Sequence, residues 1–127
     1  MSFEGILESI ESQGGVTLSC ASQSNVNEVM DDRWYFPLLP DATEVVSSRD
    51  LSDHLHDFMV LNEQKLREDN TYLGVWRNPE NGKYYLDINT AERSKDEAIK
   101  SATVINSSSN RQILALYNPL QDKTEYL

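Results

Sequence analysis

Apolar and polar positions along this chain follow two rhythms, one of period 3.6 and one of period 2. Phe3, Ile6, Leu7 and Ile10 fall at helical spacing, with Ser2 as an N-cap and Gly14-Gly15 as the stop. Val16 to Cys20 alternates as a strand does, with Val16, Leu18 and Cys20 on one side. The polar, Asn- and Ser-rich stretch Ala21 to Asp32 predicts a loop. Arg33 to Leu38 is aromatic and reads as a strand ended by Pro37 and Pro40, and Thr43 to Ser47 as another short one. Ser48 then caps the clearest helix, Arg49 to Glu68. Leu51, Leu55, Phe58, Met59 and Leu66 share its apolar stripe, while Asp53, His56 and Glu63 face away. Such a stripe needs a flat partner, which a sheet provides.

Tyr72 to Arg77 and Lys83 to Ile88 carry the strongest strand signals. The segment between them contains Pro79, which presets φ for a turn, and Gly82, which accepts φ > 0, so a β-hairpin follows. In its simplest register Trp76 lies opposite Tyr84 and Gly74 opposite Leu86. Val75 and Tyr85 then fall on the other face, beside Leu73 and Asp87. Ser94-Lys95-Asp96-Glu97 has the spacing of a capping box and opens a helix through Ala98, Ile99, Ala102 and Ile105, ended by the Ser107–Asn110 loop. Gln112 to Tyr117 is a buried strand, Asn118-Pro119 starts a turn, and Glu125 to Leu127 pairs back as an edge strand. Hairpins without regular βαβ alternation predict an α+β fold: an antiparallel sheet of about four to six strands with two or three helices mainly on one face.

At 127 residues the chain fits one domain, residues 1–127, and its 39% hydrophobic content is enough to build a core. Charge narrows the functions open to it. The net charge is -10, and all of it resides in residues 1–63, where twelve acids face only Arg33 and Arg49. Direct nucleic-acid or anionic-membrane binding is therefore not expected, because phosphate recognition needs clustered Lys and Arg. A partner protein with a basic surface would suit this half. Met1 to Asp32 lacks the basic start and apolar stretch of a secretory signal, and the run Phe58–Leu61 is far too short to span a bilayer, which predicts a cytoplasmic protein.

The candidate chemistry is sparse. One cysteine, Cys20, rules out an internal disulfide and a cysteine zinc cage, and its strand position suits a small buried hydrophobe better than a nucleophile. His54 and His56 point about 200° apart on a helix and cannot share a metal from it. Asp50, His54 and Asp57 line up on one side but read as a solvated face. There is no G-x-S-x-G elbow and no phosphate-binding glycine motif, so neither catalysis, a metal nor a cofactor is expected.

The aromatic residues are more informative. Trp34, Tyr35 and Phe36 cluster before Pro37, and Tyr72, Trp76, Tyr84 and Tyr85 populate the hairpin. Aromatic cross-strand pairs that fill a core are the plain reading, and Tyr and Trp anchors on a binding surface the sharper one. Leu73-Gly74-x-Trp76, Gly82-Lys83-x-Tyr85-Leu86-Asp87-Ile88 and the late strand Gln112–Tyr117 resemble a group of uncharacterised small proteins of phages and actinobacterial mobile elements. That resemblance implies a genomic setting and no mechanism. Within the motif, Asp87 is expected to pair with Lys83 or to cap the chain after the strand.

The sequence thus points first to a small acidic accessory factor that acts by binding a host protein. A nucleic-acid mimic that blocks a basic groove is the alternative. A small-molecule binder or enzyme is a further one, and it requires a deep pocket lined by the aromatics with converging polar groups. The candidate interaction surface comprises Trp34, Tyr35, Asp50, Asp53, Asp57, Trp76, Tyr85 and Asp87.

Overall fold

The computed structural model describes residues 2–20, 24–25 and 31–127. The chain runs α1 (Phe3–Gln13), β1 (Gly15–Ser19), β2 (Ser24–Asn25), β3 (Trp34–Pro37), β4 (Glu44–Val46), α2 (Leu51–Leu61), α3 (Glu63–Leu66), β5 (Tyr72–Arg77), β6 (Tyr84–Glu92), α4 (Lys95–Ser108), β7 (Ala115–Asn118) and β8 (Lys123–Tyr126). The described strands form one antiparallel sheet in the order β2-β1-β5-β6-β3-β7-β8, with β4 also paired to β6. The fold is α+β. Its eight described strands exceed the four to six predicted, because every strand segment read from the sequence, Thr43 to Ser47 included, joins the one sheet and residues 24–25 add a short strand. The rest of the loop predicted over 21–32 lies outside the described residues, apart from residues 31–32.

Local chemistry accounts for the boundaries. Gly5 donates its backbone N–H to Ser2 Oγ at the start of α1, and Gly14 ends that helix at φ 78°, where a Cβ is unfavourable. Ser94 caps α4 by accepting from the Glu97 N–H at 3.3 Å. The helix predicted over 49–68 is broken. A 3-10 turn spans Ser48–Asp50, and Asn62 interrupts the remainder by donating its side-chain N–H to the Phe58 carbonyl at 2.9 Å. An Asn that bonds the backbone locally in this way competes with continued helix.

The pairings make the two faces of the sheet unequal. Val16, Leu18, Leu73, Val75, Leu86 and Ile88 share one face and pack against Ile6 and Ile10 of α1 and Leu51, Leu55 and Phe58 of α2. Trp34, Phe36 and Leu116 continue that face and meet Ala98 and Ala102 of α4. The helices whose packing is described thus cover one side. β6 links the two clusters, since its first half pairs with β4 and its second half with β3 along the same edge. That double pairing explains why β6 runs to Glu92, four residues beyond the predicted Ile88.

Candidate ligand cavity on the open sheet face

The side of the sheet opposite the helices carries a cavity of about 600 Å³. It exists because the hairpin register differs by one residue from the simplest one. Trp76 pairs with Tyr85, Gly74 with Asp87 and Val75 with Leu86. A one-residue shift exchanges the faces of one strand relative to the other, so Trp76, Tyr85 and Asp87 come to the same side. The turn sets this register. Asn78 donates its N–H to the Lys83 carbonyl at 2.9 Å and accepts from the Gly82 N–H at 2.7 Å, with Gly82 at φ 71°. Six residues, 78–83, therefore separate the last pair, Arg77 and Tyr84.

Trp76 and Tyr85 form one aromatic wall, with ring centroids 5.5 Å apart, and Tyr35 and Tyr117 line the cavity from β3 and β7. Arg111, exposed, also lines the cavity, with its guanidinium carbon 5.8 Å from the Tyr85 ring centre. The wall that carries Arg111 is fastened on two sides. Asp41 accepts from the backbone N–H groups of Asn110 (3.2 Å) and Arg111 (2.7 Å). Asn106 clasps Ile113 by accepting from its N–H at 2.6 Å and donating to its carbonyl at 3.2 Å.

Polar groups converge on the floor. Alternation along β6 presents Tyr85, Asp87 and Asn89 to the cavity. Asp87 accepts a 2.6 Å hydrogen bond from the Thr43 hydroxyl and does not pair with Lys83. Burial pushes the Asp87 carboxyl above its ordinary pKa, while the Thr43 hydrogen bond and the charge of Arg111 pull it partly back. Beside it, Asn89 Oδ1 is buried without a hydrogen-bond partner. The Asn89 amide lies over Gly74, where a Cβ would overlap its Nδ2.

A polar network stiffens the adjoining part of the same face. Arg33 donates to Asp31 Oδ2, to the hydroxyls of Tyr35 (2.9 Å) and Tyr72 (2.6 Å), and to Asn70 Oδ1 (2.9 Å). Its guanidinium carbon lies 5.4 Å from each tyrosine ring centre. Tyr35 in turn donates to Asp31 at 2.6 Å, and burial together with that bond raises its phenol pKa well above normal. Burial acts to raise the Asp31 carboxyl pKa, but the bonds from Tyr35 and Arg33 outweigh it and hold the carboxyl low.

The predicted interaction residues separate into three places. Tyr35, Trp76, Tyr85 and Asp87 line the cavity. Trp34 lies in the helix-side core at 6% exposure, so it offers no surface. Asp50 is exposed in the turn that leads into α2, and Asp53 and Asp57 are exposed on α2 itself, among the elements packed on the other side of the sheet. Cys20 packs partly buried against the α1–α2 core, and burial raises its thiol pKa. No group of three potential metal ligands occurs among the described residues. No helix among them is long and apolar enough to cross a membrane. Thr43, Gly74, Asn89, Arg111 and Tyr117 are not among the predicted site residues, and a polar alternation carried past Ile88 would have flagged Asn89. No protein-family model matches the chain, and no similar curated protein or solved structure was found.

Proposed function

We propose that this protein binds a small, largely flat ligand on the open face of its sheet. One observation carries the reading: a cavity of about 600 Å³, walled by Trp76, Tyr85, Tyr35 and Tyr117, has Asp87 and Asn89 converging on its floor. Its volume lies in the usual range for small-molecule sites, about 300–1,000 Å³, and the mix of aromatic wall with a few oriented polar groups matches such sites. The opposite face of the sheet is filled by helices, whereas this face keeps aromatic side chains with room between them. A fragment screen followed through the two indole N–H signals in NMR tests the reading. Trp76 would move with bound fragments while Trp34, in the core, stays still. Fragments that bind and move neither signal would count against the site.

A second reading keeps the protein-partner expectation and rests on a different surface. Glu4, Glu8 and Glu11 of α1 and Asp53 and Asp57 of α2 are exposed, and α1 and α2 adjoin at Phe3 and His56, whose ring centres are 6.1 Å apart. Such a face suits a basic host protein, in keeping with a phage or mobile-element accessory factor. Capture of a partner that is lost at high salt, and lost again when Glu8 and Asp57 are changed to Lys, would support it. Capture that survives both changes would remove it.

A further inference from the structure

The floor of the cavity has more acceptors than the protein fills. Among the described hydrogen bonds Asp87 receives one, from Thr43, and Asn89 Oδ1 receives none although it is buried. A carboxylate can accept several hydrogen bonds and an amide oxygen two, so both groups retain capacity, and both residues line a space of ligand size. A buried acceptor without a protein partner is satisfied by water or by a ligand donor. Neighbouring charge does not fill this deficit. Arg111 acts on Asp87 through its charge but makes none of the described hydrogen bonds to it, and its guanidinium lies against the Tyr85 ring.

Resting on the small-ligand reading, we infer that the cavity selects ligands with a protonated amine or amidinium head on an aromatic body, the head donating to Asp87 and Asn89 and the body lying against Trp76 and Tyr85. Arg111 would then meet an acceptor, where the ligand has one, at its outer end. Gly74 contributes by leaving the space over β5 in which the Asn89 amide lies. An anionic head would meet the Asp87 carboxylate, and an alcohol would satisfy fewer of the free acceptors.

Three probes with one aromatic body separate this inference from the broader one: biphenyl-4-ylmethylammonium, biphenyl-4-ylmethanol and biphenyl-4-ylacetate. Each is titrated into the full chain near neutral pH and about 0.15 M salt, with the Trp76 indole N–H and the Asn89 side-chain N–H signals followed by NMR. The ammonium is expected to bind at least about ten-fold tighter than either analogue, a factor worth about 1.4 kcal/mol, and to move both signals. Asp87→Asn is expected to shrink that preference to about two-fold. Asp96→Asn, which removes an exposed acid on α4, is expected to preserve it and so to separate the site from the protein's overall negative charge. If Asp87→Asn fails to fold, the Asn89 signal in the unmodified protein still decides. Equal binding of all three probes with movement of Trp76 would overturn the donor preference and leave the cavity as a site. Binding of none would overturn both.

Discussion

Trp76 and Tyr85 face each other across β5 and β6 as a directly paired couple, their ring centroids 5.5 Å apart, on the side of the sheet without helices. Trp76 keeps 51% of its surface exposed, whereas Trp34 keeps 6%. The molecule's two indoles therefore report on opposite faces.

Replacing Trp76 with Phe is expected to leave a blue-shifted emission from Trp34 alone, and replacing Trp34 with Phe a red-shifted one from Trp76. Thermal stability should separate them as well. The exposed Trp76 should cost less than about 1 kcal/mol, while the buried Trp34 should cost more, because a smaller ring leaves a gap in the core. Fluorescence spectra and melting curves of the two variants check this.

Asp87 makes stability depend on pH in an uncommon direction for a carboxylate. Its folded pKa is raised by burial, so the native state binds the proton more readily than the unfolded chain. Stability from this group is present below the ordinary carboxylate pKa and is lost as pH rises through the raised value. Asp87→Asn is thus expected to raise the melting temperature at pH 7, with the gain vanishing toward pH 3. Melting curves across that range test it, and an unchanged gain at low pH would contradict the assignment.

Asp31 acts in the opposite sense. Its folded pKa is lowered because the bonds from Tyr35 and Arg33 outweigh its burial, so its contribution is full above the unfolded value and is lost as pH falls through the folded one. Arg33→Ala is expected to weaken that acid dependence, the Tyr35 bond to Asp31 remaining, and to cost about 1–3 kcal/mol, since the hydroxyls of Tyr35 and Tyr72 lose a shared donor. Arg33→Lys should recover only part of it, because an ammonium cannot reproduce the forked geometry. Denaturant titrations at pH 7 and pH 3 distinguish the variants.

Gly74→Ala introduces a Cβ into the position held by the Asn89 amide. A cost of about 1–3 kcal/mol is expected from that overlap. Relief by Asn89→Ala in the double variant would identify the clash as the source, which a double-mutant cycle measures.

Local pattern carries far in this chain. β5 is found at the predicted residues, Tyr72–Arg77, and the caps at Ser2 and Ser94 follow from side chains within three positions of the groups they bond. The two-sided character of the hairpin does not follow so directly. Its register depends on how many residues the 78–83 turn absorbs, and one residue more or less moves Trp76 to the other face relative to Tyr85. Trp34 and Tyr35 posed the same difficulty: adjacent in sequence and similar in character, they differ in fate because helices cover only one side of β3. Thr43 and Asn89 remained hidden because their importance comes from meeting Asp87 or an empty space across strands.

The placement of β1, β3 and β4 also bears on the order in which the open face of the sheet comes into being. The β5–β6 hairpin closes locally through residues 78–83, whereas β1 must return to β5 from residues 15–18 and β3 to β6 from residues 34–37. Loop closure over such spans is slow relative to forming a hairpin. Strands made early in synthesis must therefore wait for a template made late, and the walls supplied by Tyr35 and Thr43 arrive after the floor. Under the proposed function, a ligand present while the chain folds would act on the last assembly steps, on a surface that the nascent N-terminal half cannot offer alone.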